Sequence, residues 1–131
     1  MKILIIEDSE IKRNELIDFL TSICNIEFEF CEYLYDALRY IDDNENEISG
    51  IILDLGLQKA EDMPQTYGIY VGLDVVYELK RSKINIPVLI NSTTFAGILD
   101  EYPFIFGQRM QMENYDMLEK FVTFLRQREE Q

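Results

Sequence analysis

The side chains best suited to chemistry in this sequence stand directly after short apolar runs. Five of them carry carboxyl or hydroxyl oxygens: Glu7, Asp8, Asp54, Ser92 and Thr93. If the runs before Glu7 and Asp54 form neighbouring strands of a parallel sheet, their carboxylates meet in one pocket at the carboxyl edge. Clustered carboxylates repel one another, and a hard divalent cation with oxygen ligands, typically Mg²⁺, relieves that repulsion. The pattern predicts an acidic Mg²⁺ pocket around Asp54, with solvated strand ends as the plainer alternative.

The elements that must position these side chains alternate between strand and helix patterns. Short apolar or alternating runs predict strands at 2–6, 26–30, 48–53, 87–90 and 104–106. Apolar residues at helical spacing predict helices at 10–23, 34–41, 73–80, 95–100 and 115–126. The run at 26–30 alternates apolar and acidic residues, which indicates an edge strand. We therefore predict a three-layer α/β fold, an open parallel five-stranded sheet with helices on both faces.

Length and charge restrict the classes of protein and partner. The 131 residues predict a single domain over 1–131 with no output domain. Twelve basic residues against 25 acidic ones give a net charge of −13, which repels phosphate backbones and acidic membrane surfaces, so neither nucleic acid nor membrane is an expected partner. No run reaches the roughly 18 apolar residues of a membrane span, and the first run is too short for a secretory signal. A cytoplasmic location follows as the prediction.

Histidine and cysteine usage narrows the chemistry further. The sequence contains no histidine, which excludes His-based triads, His-ligated metals and internal phosphohistidine. Its two cysteines, Cys24 and Cys31, match no zinc-ligand spacing and are predicted to be reduced, packed thiols. Carboxylates and hydroxyls must therefore do the chemistry.

A long connection follows Asp54. Residues 55–71 exceed the roughly 2–6 residues usual between a strand and its helix. The connection contains Met63, Tyr67 and Tyr70, which suit a lid over the pocket or a docking surface. A plain insertion is the alternative.

Three stretches together resemble bacterial response-regulator receiver domains. They are Lys-Ile-Leu-Ile-Ile-Glu-Asp at 2–8, Ile-Ile-Leu-Asp at 51–54 and Pro-Val-Leu-Ile-Asn-Ser at 87–92. The resemblance covers essentially the whole chain and implies a flavodoxin-like sheet of strand order 2-1-3-4-5. It also implies a role in two-component phosphorelay signalling, not as an enzyme beyond its own phosphorylation and dephosphorylation. The implied partners are a histidine kinase or phosphotransfer protein and a downstream protein, and a homodimer stays open.

The resemblance assigns roles to individual residues. Glu7 and Asp8 match the metal-binding acidic pair, and Asp54 matches the phosphorylated aspartate. Gly56 would add a backbone carbonyl to the Mg²⁺ shell. Ser92 matches the hydroxyl residue that contacts the acyl phosphate, and Thr93 stands next to it as a second hydroxyl.

Two departures from the family pattern bear on function. The family places a lysine just after its fifth strand, where this chain has Gly107 and Gln108. Arg109 follows, and we expect it to be a solvated surface charge. The stretch between Ser92 and Phe106 also looks too short for the family's full fourth helix. Phosphorylation, or the switch that it drives, is then expected to be weak or absent.

Several alternatives stay open at this point. A pseudo-receiver would keep the fold and bind partners without phosphorylation. A Mg²⁺-dependent hydrolase is a less favoured reading, because Gly56 stands where an aspartyl-phosphatase motif needs an acid. A flavin carrier is disfavoured because no phosphate-binding loop follows the first strand.

Overall fold

The chain folds as a five-stranded parallel sheet flanked by helices. The computed structural model describes residues 1–23, 25–63, 71–93 and 102–130. The strands are β1 (Lys2–Ile6), β2 (Glu27–Cys31), β3 (Gly50–Leu53), β4 (Val88–Asn91) and β5 (Ile105–Arg109). The helices are α1 (Glu10–Ile23), α2 (Leu34–Asn44), α3 (Leu73–Arg81) and α4 (Tyr115–Glu129), and a 3₁₀ turn (Glu45–Glu47) follows α2. The strand order is β2-β1-β3-β4-β5 and every pairing is parallel, so the predicted fold is confirmed.

The period-two alternation of β1 divides the core into two layers. Leu4 and Ile6 face the cluster that contains the apolar faces of α2 and α3. Ile3 and Ile5 face the opposite cluster, which contains those of α1 and α4. Because all four side chains are fully buried, β1 is held on both faces, as a central parallel strand requires. Burial of each such side chain contributes about 1.5–3 kcal/mol.

The register brings the carboxyl ends of the three central strands level with one another. Ile6 pairs with Leu53, and Leu53 pairs with Ile90. The residues that follow each of them, including Glu7 and Asp54, therefore share one edge of the sheet. This is the edge at which open α/β sheets form ligand sites.

Some predicted boundaries were wrong in ways that have physical causes. The fifth strand was placed at 104–106, but β5 continues to Arg109 because Gln108 and Arg109 pair with Ile90 and Asn91 past a register irregularity at Val88. Because the residues at the end of β5 are polar, the hydrophobic pattern does not indicate that the strand continues there. Likewise, α2 runs through the acidic stretch to Asn44. Charged residues on the solvent-exposed face of a helix do not interrupt its backbone hydrogen bonds.

Some predictions fall on residues that the structure does not describe. They are the short helix at 95–100, Tyr67, Tyr70 and Cys24. Cys31 is a buried free thiol, and burial raises its pKa to about 12, which agrees with an unreactive, packed cysteine. Within the described ranges, no helix is both long enough and apolar enough to cross a membrane.

Candidate functional site

Three carboxyl groups meet at the carboxyl edge of β1 and β3. One side-chain oxygen from each of Glu7, Asp8 and Asp54 lies within 4.8 Å of the other two. Glu7 is 1% exposed and Asp54 is 7% exposed, whereas Asp8 is open to solvent. We call these three residues the acidic cluster. The predicted convergence of these side chains is confirmed.

The backbone of the acidic cluster is held by hydrogen bonds that continue the sheet beyond its strands. The Asp54 N–H donates to the carbonyl of Ile6 at 2.9 Å, and the Glu7 N–H donates to the carbonyl of Cys31 at 3.1 Å. The side chain of Arg13 in α1 donates to the Glu7 carbonyl at 3.0 Å. The backbone of both buried acids is therefore anchored to the sheet, which favours a preorganised site.

Gly72, at the end of the long connection, packs closely against the backbone of Asp54. The Gly72 N–H donates to the Leu55 carbonyl at 3.0 Å. A Cβ at position 72 would lie 2.3 Å from the carbonyl oxygen of Asp54 and 2.7 Å from the Leu55 Cα. Both atoms belong to the backbone and cannot move aside cheaply, so glycine is required for this close approach.

Glu7 carries an unsatisfied buried oxygen. Its Oε2 accepts a hydrogen bond from the Ser9 N–H at 3.2 Å, whereas its buried Oε1 has no hydrogen-bond partner among the described residues. Leaving such a carboxylate oxygen buried and unpaired is unfavourable by several kcal/mol. Oxygen ligands from three clustered carboxylates are the donor set that Mg²⁺ takes. The residues present therefore fit a divalent cation.

Protonation is the other way for the acidic cluster to relieve its repulsion. Burial, together with the nearby charge of Asp54, raises the pKa of Glu7 from 4.5 to about 9. Burial also raises the pKa of Asp54, although the Glu7 carboxyl, the Gly56 N–H and the positive charge of Lys12 act against this. A proton on Glu7 would give it a donor toward the Asp54 carboxylate, an interaction that raises the pKa of Glu7 and lowers that of Asp54. Proton and cation are thus alternative occupants of one acidic site.

The other predicted site residues stand nearby with different exposures. Ser92 is buried one residue beyond β4, and Thr93 after it is exposed. Gly56 is exposed, and its N–H bonds to the Asp54 carboxyl, a contact that the sequence analysis did not anticipate. Mg²⁺ binding through the Gly56 carbonyl and the hydroxyl roles of Ser92 and Thr93 stay predictions.

The expectation for Arg109 was wrong, because this side chain is buried and not a solvated charge. Arg109 is 0% exposed. Its Nη1 donates to Asn91 Oδ1 at 3.1 Å, its Nε donates to the Asn114 carbonyl at 3.1 Å, and its Nη2 donates to the Met112 carbonyl. Nη2 also pairs with Glu15 Oε1 at 3.3 Å. Since the donors are satisfied and the charge is paired, the guanidinium tolerates burial.

Arg109 belongs to a network that sequence reasoning missed. Its guanidinium carbon lies 5.3 Å from the centre of the Tyr115 ring, and the Tyr115 hydroxyl donates to the same Glu15 oxygen at 3.0 Å. These partners join β5 to α1 and to the start of α4. Only their polar residue types were visible in the sequence, since the residues lie up to about a hundred positions apart.

Gln108 stands where the family lysine was expected. Its Nε2 donates to the Ser92 carbonyl at 3.1 Å, so it supplies a neutral donor that ties β5 to the segment after β4. At the end of β5, Gln108 therefore provides a neutral amide and Arg109 a fully buried guanidinium.

The sheet order is that of the flavodoxin-like fold, and comparison with solved structures shows the fold of response-regulator receiver domains. The signal receiver domain of a Luxo repressor protein from Vibrio parahaemolyticus superposes with a TM-score of 0.73 at 22% identity, over 97% of this chain and 90% of that one. The response regulator TrrA from Thermotoga maritima, solved with Mg²⁺ and BeF, gives 0.69 at 21% identity over 95% and 97%. A two-component response regulator from Legionella pneumophila gives 0.70 at 19% identity over 97% and 98%.

At the level of sequence, no family model and no curated protein matches the chain.

Proposed function

We propose that this chain is a receiver-like signalling module that accepts a phosphoryl group on Asp54 with Mg²⁺ held by the acidic cluster. The observation that carries the proposal is the meeting of oxygens from Glu7, Asp8 and Asp54 within 4.8 Å, at the carboxyl edge of a receiver-type sheet. A carboxylate nucleophile beside a cation site is what transfer to an aspartate requires, because phosphoryl transfer depends mainly on positioning and charge neutralisation.

The proposed step is an in-line displacement at phosphorus. An Asp54 carboxylate oxygen forms the new P–O bond as the bond from phosphorus to the leaving group breaks. The leaving group keeps the electron pair and takes up a proton, and Asp54 becomes an acyl phosphate. When bound, Mg²⁺ supplies positive charge to the phosphoryl oxygens. The Gly56 N–H and the Ser92 hydroxyl would then serve as donors to the transferred group.

The phosphodonor must come from outside the chain. Because the sequence contains no histidine, a phosphohistidine donor belongs to another protein, which we take to be a histidine kinase or phosphotransfer protein. A downstream protein partner would read the phosphorylated state. The single-domain organisation, the cytoplasmic location and a possible homodimer stay predictions.

A pseudo-receiver is the second candidate, and the end of β5 favours it. Gln108 is neutral and bound to the Ser92 carbonyl, and the charge of Arg109 is already paired with Glu15. An acyl phosphate would then lack the cation that the family places there. In this reading the fold binds protein partners without phosphorylation.

Incubation with Mg²⁺ and acetyl phosphate, followed by intact mass spectrometry, separates the two candidates. The receiver reading predicts one added phosphoryl group, lost in Asp54→Asn and lost when EDTA removes Mg²⁺. Asp43→Asn is the matched control, because Asp43 is an exposed acid on α2. No adduct at any Mg²⁺ concentration would support the pseudo-receiver. Continuous release of phosphate from added phosphoesters would instead support the hydrolase.

A further inference from the structure

The basic side chains around the acidic cluster differ in whether their charge is already engaged. Arg109 is fully buried and paired with Glu15. Arg13 donates to the Glu7 carbonyl and forms an ion pair with Glu32 at 3.1 Å. Both guanidiniums are therefore committed to structural contacts. An interaction of either guanidinium with a new anion on Asp54 would compete with these contacts.

Lys12 is a third basic residue near the acidic cluster. It lies in the first turn of α1 and is half-buried. Within the part of the chain that the structure describes, none of the ion pairs involves Lys12. Burial raises the pKa of Asp54, and the positive charge of Lys12 is among the effects that lower it.

The backbone holds Lys12 in a fixed relation to the acidic cluster. The Lys12 N–H donates to Ser9 Oγ at 3.3 Å, and the Ser9 N–H donates to Glu7 Oε2 at 3.2 Å. The Arg13 N–H donates to the Ser9 carbonyl at 3.0 Å. Ser9 thus caps the start of α1 and connects its first turn to a member of the acidic cluster. The long, flexible lysine stem can then carry its ammonium toward the rim of the site.

We propose that the Lys12 ammonium is the phosphate-binding cation of this site and takes the place of the lysine that receiver domains carry after the fifth strand. This assignment rests on the proposed phosphorylation of Asp54. A phosphoryl group on Asp54 adds negative charge at a site whose other charged members are all acids. An ammonium that reaches in from α1 would neutralise part of it, whereas Gln108 offers a neutral donor. The competing reading is that Lys12 is an ordinary solvated helix charge.

The opposite charges of Mg²⁺ and of a phosphoryl analogue allow a direct test. Mg²⁺ is titrated first by calorimetry, and beryllofluoride, a stable mimic of an aspartyl phosphate, is then titrated at saturating Mg²⁺. Lys12→Gln should weaken beryllofluoride binding about tenfold or more, the loss of a charge-assisted hydrogen bond. The same variant should bind Mg²⁺ as tightly as wild type or more tightly, because a nearby positive charge is gone.

Two further variants sharpen the test. Lys80→Gln is the matched control, because Lys80 is an exposed lysine in the last turn of α3, and it should behave as wild type in both titrations. Gln108→Lys, added to Lys12→Gln, should restore part of the beryllofluoride affinity by placing an ammonium beside Ser92. Retained binding in Lys12→Gln overturns the assignment of Lys12, and so does a parallel loss of Mg²⁺ and beryllofluoride, which indicates a structural role. Failure of the wild type to bind beryllofluoride at any Mg²⁺ concentration overturns the proposed function itself.

Discussion

The carboxyl groups of Glu7 and Asp54 lie side by side at the carboxyl edge of the sheet, and both are almost completely buried. Two buried carboxylates this close cannot both stay ionised without a counter-charge. The site must therefore hold either a proton or a cation. This requirement connects the stability of the protein to pH and to Mg²⁺.

Mg²⁺ should stabilise the folded chain. A ligand that binds only the native state adds about 2.7 kcal/mol to the free energy of unfolding at a hundred times its Kd. Thermal unfolding with and without Mg²⁺ measures this as a rise in Tm. Asp8→Asn should remove most of the rise, whereas Asp43→Asn should retain it. An equal rise in both variants would contradict cation binding at the acidic cluster.

The metal-free protein should lose stability as pH rises from about pH 5 toward 9. The pKa of Glu7 is raised from 4.5 to about 9 by folding, so between these values the folded state binds more protons than the unfolded state. The contribution of Glu7 to the free energy of unfolding is full below pH 4.5. It is lost as pH rises through the pKa that Glu7 has in the folded state. The slope from this group is at most about 1.4 kcal/mol per pH unit.

Urea denaturation in EDTA at several pH values measures this dependence. Glu7→Gln has no proton to lose at this position and should flatten the slope. A slope in Glu7→Gln equal to that of wild type would show that the dependence arises elsewhere.

Replacement of Arg109 should be strongly destabilising. Arg109→Gln removes the buried donor to Asn91 Oδ1 and to two backbone carbonyls, and each lost hydrogen bond from a charged group lowers the free energy of unfolding by about 1.5–3 kcal/mol. The exposed Arg39 on α2 provides the control, since Arg39→Gln should change stability by no more than about 0.5 kcal/mol. Urea denaturation of both variants decides the point. Similar small changes in the two would contradict a structural role for the buried guanidinium.

Gly72→Ala should disturb both the fold and the acidic cluster. The new Cβ would meet the Asp54 carbonyl oxygen at 2.3 Å, and overpacking of this kind lowers stability by about 1–3 kcal/mol. Because the clash falls on the backbone of Asp54, Mg²⁺ affinity should fall as well. Gly107→Ala is the comparison, since its Cβ would be 3.7 Å from Met117 Sδ, an ordinary contact. Unchanged Mg²⁺ affinity in Gly72→Ala would separate this glycine from the site.

The parts of the fold with strong apolar patterning could be predicted from the sequence. β1 and α1 have the predicted bounds, because a buried run that ends in acids and a periodic helix leave clear boundaries. The meeting of Glu7 and Asp54 followed from the rule that parallel strands end at one edge, once their strands were neighbours. The order of the strands came from the family resemblance and not from the patterning itself.

The polar end of β5 could not be predicted in this way. Gln108 and Arg109 belong to a strand through backbone pairing with β4, which leaves no apolar signal. The burial of Arg109 depends on Asn91 and Glu15, which are distant in sequence, and on the nearby Asn114 carbonyl. A single sequence shows the charge of such a residue but not the partners that make its burial possible.

The position of the phosphoryl group is the most direct test of the whole account. Protein treated with Mg²⁺ and acetyl phosphate is reduced with borohydride, which converts an aspartyl phosphate to homoserine, and its peptides are then sequenced by mass spectrometry. We predict homoserine at position 54, with unmodified aspartate at positions 8 and 43. Homoserine at another position, or none despite bound Mg²⁺, would contradict the role of Asp54 as phosphoacceptor.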